Sequence, residues 1–137
     1  MRIVLDTNVV VSGLLNPDGS PGRVVDLFLA GEVVLIVDDR ILAEYRAVLR
    51  RPKFGFAEAD VSDFLDLVEA AAERVTAPPV ALALPDEADR PFIEVAIASG
   101  ADSIVTGNAR HFRSLGVSGP VIGTPADFLR RWNRARE

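Results

Sequence analysis

Ile3-Val4-Leu5-Asp6-Thr7-Asn8 sets three apolar residues, two of them β-branched, directly against a carboxylate and a helix start. A short continuous apolar run of this kind reads as a strand buried on both faces. The apolar spacing then turns helical over 8–15, so strand passes into helix with almost no linker. The same alternation recurs down the chain. Asn16-Pro17-Asp18-Gly19-Ser20-Pro21 is a turn cluster. A helix is expected over 22–30 and a strand over 33–37. Asp38-Asp39 caps a helix that runs to Leu49 and is stopped by Pro52. Phe64, Leu65, Val68, Ala71 and Ala72 share one face of a further helix, and 80–84 reads as a strand. A helix over 90–99 ends at Gly100, strands follow at 103–106 and 121–122, and an amphipathic helix starts near Pro125. Short apolar strands alternating with helices predict an α/β fold, a three-layer α/β/α sandwich around a mostly parallel sheet.

The chain has 137 residues, which is one domain's worth, so residues 1–137 are read as a single domain. Such a length buries about two-thirds of the unfolded surface and needs no metal or disulfide merely to fold. With no Cys, a disulfide scaffold, a zinc-thiolate site and a thiol nucleophile are excluded together. A single His disfavours His-rich metal centres and a His-based triad. The opening apolar run is too short for a signal peptide, and no stretch reaches the roughly 20 apolar residues of a membrane span. A cytoplasmic protein without membrane contact is expected. The 15 Lys and Arg against 20 Asp and Glu leave a net charge of −5, which on its face disfavours a nucleic-acid partner.

In open parallel sheets, sites form at the carboxyl ends of the strands. Asp6 stands at such an end, where it either opens onto the crevice or caps the next helix. Glu44 flanks the stripe Ile41, Leu42, Tyr45, Val48 and Leu49, so its head either enters the crevice or reaches solvent along a packed stem. Asp89 opens the helix Arg90-Pro91-Phe92-Ile93, again as a site carboxylate or an N-cap, and Asp86 competes with it for both roles. Thr106-Gly107-Asn108 would emerge beside Asp6, whereas Asp102, at the amino end of that strand, faces away. Carboxylates gathered in one crevice repel: two unit charges 4 Å apart cost roughly 4 kcal/mol at an effective dielectric of about 20. A cation relieves this, and donors that are all oxygen suit a hard ion, Mg²⁺ or Mn²⁺.

Taken together the segments are more specific than any one of them. Ile3-Val4-Leu5-Asp6-Thr7-Asn8-Val9 resembles the opening of PIN-domain nucleases, and Leu42-Ala43-Glu44-Tyr45 resembles their helix with the second acidic residue. Asp86-Glu87-Ala88-Asp89-Arg90-Pro91-Phe92 is similar to the segment with the third, and Ser103-Ile104-Val105-Thr106-Gly107-Asn108 to the one with a fourth polar or acidic ligand. Arg51-Pro52-Lys53-Phe54, Arg110-His111-Phe112 and Thr124-Pro125-Ala126-Asp127-Phe128-Leu129 resemble the VapC-like toxin subgroup. The resemblance implies metal-dependent cleavage of RNA phosphodiesters, with Mg²⁺ or Mn²⁺ as cofactor. By position, Asp6, Glu44 and Asp89 take the acidic ligand roles, with Asn108 as a fourth catalytic residue. Thr7, Asn8, Asp86, Thr106, Arg110 and His111 would orient ligands, water or the scissile phosphate. Asn108 departs from the Asp that many PIN domains carry, which puts a second metal in doubt and favours, as the rival reading, a catalytically weakened scaffold that binds RNA or a protein.

The toxin resemblance also implies a cognate antitoxin protein and a homodimer. Basic residues for RNA lie in Arg46, Arg50, Arg51 and Lys53, in Arg110, His111 and Arg113, and in Arg130, Arg131, Arg134 and Arg136. Each set is read either as a phosphate contact or as a solvated helix face, and His111 either as a base or phosphate contact or as a packed side chain. With the three acidic ligands set aside, the charge balance nears neutrality and no longer argues against RNA.

Overall fold

The computed structural model describes residues 1–115 and 119–137, without the side chains of 113–115, so the Arg113 side chain of the second basic set lies outside what is described. Five strands, β1 (Arg2–Leu5), β2 (Val34–Val37), β3 (Glu73–Arg74), β4 (Ser103–Val105) and β5 (Val121–Gly123), form one sheet in the order β3-β2-β1-β4-β5. Every pairing is parallel. Among the described residues six helices flank it: α1 (Thr7–Leu15), α2 (Ser20–Leu29), α3 (Asp39–Leu49), α4 (Glu58–Ala71), α5 (Arg90–Ser99) and α6 (Pro125–Ala135). Successive strand residues point to opposite faces, yet Ile3, Val4 and Leu5 are all buried, as are Ser103, Ile104 and Val105. The sheet is therefore covered on both sides, which is the three-layer arrangement expected. The first strand in the chain is the central one. That places its carboxyl end, and Asp6, in the middle of the sheet edge.

Local chemistry sets the helix ends much as expected. The Asp38 carboxylate accepts from the Ile41 N–H at 2.9 Å and caps α3. Gly100 ends α5 with φ 65°, a left-handed turn that only glycine adopts without strain. Thr124 and Asp127 close a reciprocal capping box on α6.

One strand lies elsewhere than expected. Residues 80–84 are irregular, and the edge strand is the charged pair Glu73–Arg74, registered against Ile36 and Val37. The reason is where the backbone groups of 80–84 go. The Val80 N–H donates to Glu94 at 2.8 Å, and the Arg90 guanidinium donates to the carbonyls of Val80 and Leu82, both at 2.6 Å. Side chains of α5 thus replace a ladder, and the preceding Pro78-Pro79 has no N–H to offer one. Glu73 is held at the edge by an ion pair with Arg2. Among the described residues no helix is long and apolar enough to cross a membrane.

Candidate active site at the carboxyl edge of the sheet

Asp6 follows β1, and its own N–H continues the ladder to the Val105 carbonyl at 3.0 Å. It occupies the N-cap position of α1, but its side chain makes no capping bond. Instead the carboxylate turns to Thr106, which leaves β4 directly opposite because Leu5 pairs with Val105. The fully buried Thr106 hydroxyl donates to Asp6 Oδ2 at 2.7 Å and accepts from the Asn108 N–H at 3.0 Å. A hydroxyl has one proton, and here it is committed to the carboxylate. Asp6 is only 7% exposed. Burial pushes its carboxyl above the usual range, opposed by the Thr106 hydroxyl, the nearby N–H groups of Asn8 and Thr7, and His111.

Asp89 stands at the N-cap position of α5 and also makes no capping bond. The competition with Asp86 is resolved by the short 3₁₀ turn Glu87–Asp89: exposed Asp86 accepts from the Ala88 N–H at 2.9 Å and caps that turn. Asp89 is left buried, and its Oδ2 is a buried oxygen without a hydrogen-bond partner among the described residues. His111 Nδ1 lies 3.3 Å from it, within ion-pair range. Burial raises the Asp89 carboxyl, the charges of Asp6 and Asp86 raise it further, and His111 works against them. Asp6, Asp89 and His111 therefore share one electrostatic field. The buried ring of Phe112 pins the turn Ala109–Leu115 that carries His111.

Glu44 is half-buried on α3, where its carboxylate accepts from the Thr7 hydroxyl. From the next position on α3, the Tyr45 hydroxyl donates to the Leu5 carbonyl at 2.6 Å, locking α3 to the end of β1. Burial, followed by the charges of Asp6 and Glu44, holds that phenol well above its ordinary value. The three expected acidic residues thus surround the end of β1, but in two groups: Asp6 with Asp89, and Glu44 with Thr7. Among the described residues no three His, Asp or Glu side chains converge closely enough to hold an ion between them. Asn8 is exposed and accepts from the Gly107 N–H at 3.5 Å. Asn108 is exposed too; its carbonyl takes the His111 N–H at 2.9 Å, and its side chain has no bond among the described residues.

Most of the basic residues are committed. Arg46 pairs with Glu69, Arg50 with Glu58, Arg130 with Asp127 and Arg136 with Glu32, while Arg131 donates to the Ser103 hydroxyl. Arg51, Lys53, Arg110 and Arg134 have no ion-pair partner among the described residues.

Sequence reasoning passed over Arg40 and Glu94. Glu94 is 3% exposed in an otherwise apolar turn of α5 and binds Arg40 at 2.7 Å; Arg40 also binds the cap residue Asp38 at 2.8 Å. Burial would raise Glu94, yet Arg40 and the Val80 N–H hold it below the usual range. This link ties α3, which carries Glu44, to α5, which carries Asp89. Its only signal in the sequence is a Glu set between Ile93 and Val95.

The architecture and the chain's segments have counterparts among known proteins. The chain is 38% identical over 53 residues to an uncharacterized protein, MJ1680, of Methanocaldococcus jannaschii, a match covering 39% of this chain and 34% of that protein. The chain thus spans about a third of that relative's length. Among solved structures it is similar in fold to VapBC2 from Rickettsia felis, solved bound to a DNA fragment from their promoter. The TM-score is 0.57 and the identity 20%, over 90% of this chain and 98% of that one. A family model described as PIN domain matches residues 2–110, a span that holds Asp6, Glu44, Asp89, Asn108 and every other site candidate except His111. The chain belongs to the PIN domain family.

Proposed function

We propose that the protein is a divalent-metal-dependent endoribonuclease that hydrolyses RNA phosphodiesters, and that it serves as the toxin of a toxin–antitoxin pair. The observation that carries this reading is the Asp6–Asp89 pair: two buried carboxylates, the charge of the first raising the second, whose buried Oδ2 has no hydrogen-bond partner among the described residues. A buried unpaired acceptor of this kind is costly, and a cation is the group that would satisfy it. The donors suit Mg²⁺ or Mn²⁺, being carboxylate oxygens without sulfur. Asp6 and Asp89 would hold the ion, with Glu44 alongside. When bound, it supplies Lewis acidity toward the phosphoryl oxygens and makes water a better nucleophile near neutral pH.

The chain's own residues do the positioning. Thr106 fixes one oxygen of Asp6 and so aims the other. Thr7 holds Glu44 at the crevice wall. Asn8, Asn108, Arg110 and His111 line the same edge as donors for phosphate oxygens, and Arg110 has no competing partner among the described residues. Likeness to a structure of VapBC2 supports an antitoxin partner that would cover this edge. A homodimer is part of the same proposal.

The test is cleavage of end-labelled RNA, and of DNA of the same sequence, with Mg²⁺, Mn²⁺ or chelator present. Cleavage of RNA that needs the ion and is lost in Asp6→Asn and Asp89→Asn is expected. Activity that survives chelation, or is equal in the variants, would sink the assignment. The rival reading, a scaffold that binds without cutting, is favoured by Asn108 and by the separation of Glu44 from the carboxylate pair; intact RNA binding with no cleavage under any ion would select it.

A further inference from the structure

Between α1 and α3, beside the carboxylates, lies an open groove of about 470 Å³. Its inner end is the Thr7–Glu44 pair, so it runs directly into the candidate active site. Val11, Leu15, Val48 and Phe54 wall it together with Ser12, and Leu15 is 54% exposed at the end of α1. Phe54 offers an aromatic platform, stacked on Phe56 with ring centres 5.9 Å apart and with Lys53 Nζ 5.1 Å from its own ring centre. The walls carry no charge, but the two ends are polar. Asn8 presents an exposed amide beside the carboxylates, and Arg51 stands at the outer end. Its neighbours Arg46 and Arg50 are bound to Glu69 and Glu58, whereas Arg51 has no ion-pair partner among the described residues.

We infer that this groove seats an unpaired nucleobase of the RNA, the one adjoining the bond that is cut, with Arg51 on the phosphate beyond it. The inference rests on the nuclease reading above and names how that site holds its substrate. A nucleic-acid chain alternates anionic phosphate with a flat, weakly hydrated base. The surface alternates in the same way: the Arg51 guanidinium, unpaired among the described residues, then an apolar wall with an aromatic platform, then a carboxylate pair suited to a cation. A base in the groove would meet apolar walls with its faces and the Asn8 amide with its edge. Only an unstacked base can enter, so the preferred substrate is a single-stranded loop or end.

The test measures binding of a short labelled unstructured RNA by fluorescence anisotropy, in chelator so that none is cut, and compares it with RNAs carrying an abasic site at each position. Leu15→Glu and Arg51→Ala are suitable variants because both side chains are exposed. Each is expected to weaken binding about tenfold, the size of one lost base or phosphate contact. One abasic position should cost the wild-type protein about tenfold and cost Leu15→Glu nothing further. Arg51→Ala should lower the salt slope by about one ion, and Leu15→Glu should add no such change beyond its own charge. Unchanged binding in both variants, or equal binding of all abasic RNAs, would overturn the inference and leave the groove to a protein partner. Base-dependent binding without cleavage under Mg²⁺ would instead uphold the groove and refute the nuclease reading.

Discussion

Thr106→Val isolates the contact on which the site is built. The residue is fully buried, valine matches its shape, and the change removes one hydroxyl that donates to Asp6 at 2.7 Å. The Asn108 N–H loses its acceptor as well, but Asn108 is exposed and water can replace it. The cost is therefore that of a hydrogen bond to a charged, buried acceptor, about 2 kcal/mol. For a chain of this length that corresponds to a fall in Tm of about 8 °C. The penalty should depend on pH. Asp6 has its pKa raised by burial, so it is charged only above that raised value, and once it is protonated the lost bond is a neutral one worth about 1 kcal/mol. The assay is thermal unfolding of metal-free protein followed by circular dichroism from acid to mildly alkaline pH. Thr106→Ser serves as the control that keeps the hydroxyl and loses only a buried methyl group, about 0.8 kcal/mol, with no pH dependence. Cleavage should fall in Thr106→Val and largely survive in Thr106→Ser. A valine penalty equal to the serine penalty at pH 8, or unchanged in acid, would refute the argument that this hydroxyl supports a charged Asp6.

Other outcomes follow from the same electrostatics. Folded-state pKa values raised for Asp6 and Asp89 mean that the folded protein binds more protons there than the unfolded chain, so both groups erode metal-free stability as pH rises from the ordinary Asp range through their raised values. Asp89→Asn should accordingly melt higher than wild type without metal, by a margin that grows with pH; a constant margin would contradict this. Mg²⁺ should raise the wild-type Tm, by about 2.7 kcal/mol of stabilisation at a hundredfold excess over Kd, and act much less on Asp89→Asn, which calorimetry can check. Arg40→Met should cost about 2 kcal/mol by urea unfolding at neutral pH. This is below the full penalty for orphaning a buried charge, because Arg40 is 43% exposed and Arg90 remains 3.9 Å from Glu94. Glu94 is held below the usual range, so that cost should vanish as pH falls through its lowered value; persistence in strong acid would point to lost packing instead.

The residues that were legible are those whose role is fixed by their neighbours in sequence. The strand before Asp6, the Asp38 cap, the Gly100 stop and the start of α6 at Pro125 all stand where local pattern puts them. The misplaced strand has the opposite character. Val80 to Leu84 looks more like a strand than Glu73-Arg74 does, but the choice was made by Arg90 and Glu94, which take up the backbone of 80–84 from a helix further along the chain. The roles of Asp86 and Asp89 were likewise open until the 3₁₀ turn engaged the first and left the second uncapped.

By itself the sequence determined an alternating α/β chain with carboxylates at helix starts and strand ends, because periodicity and capping are local properties that a few consecutive residues set. It could not determine which of those carboxylates would be short of partners. That depends on register, which brings Thr106 to Asp6 from a hundred residues away, and on burial, which lets Asp6 raise Asp89 and strands one of its oxygens. Thr7 and the Arg40–Glu94 link are contributions of the same kind, one holding Glu44 at the wall and the other tying its helix to that of Asp89. Charge repulsion and desolvation act through space, and only the folded chain sets the distances over which they act.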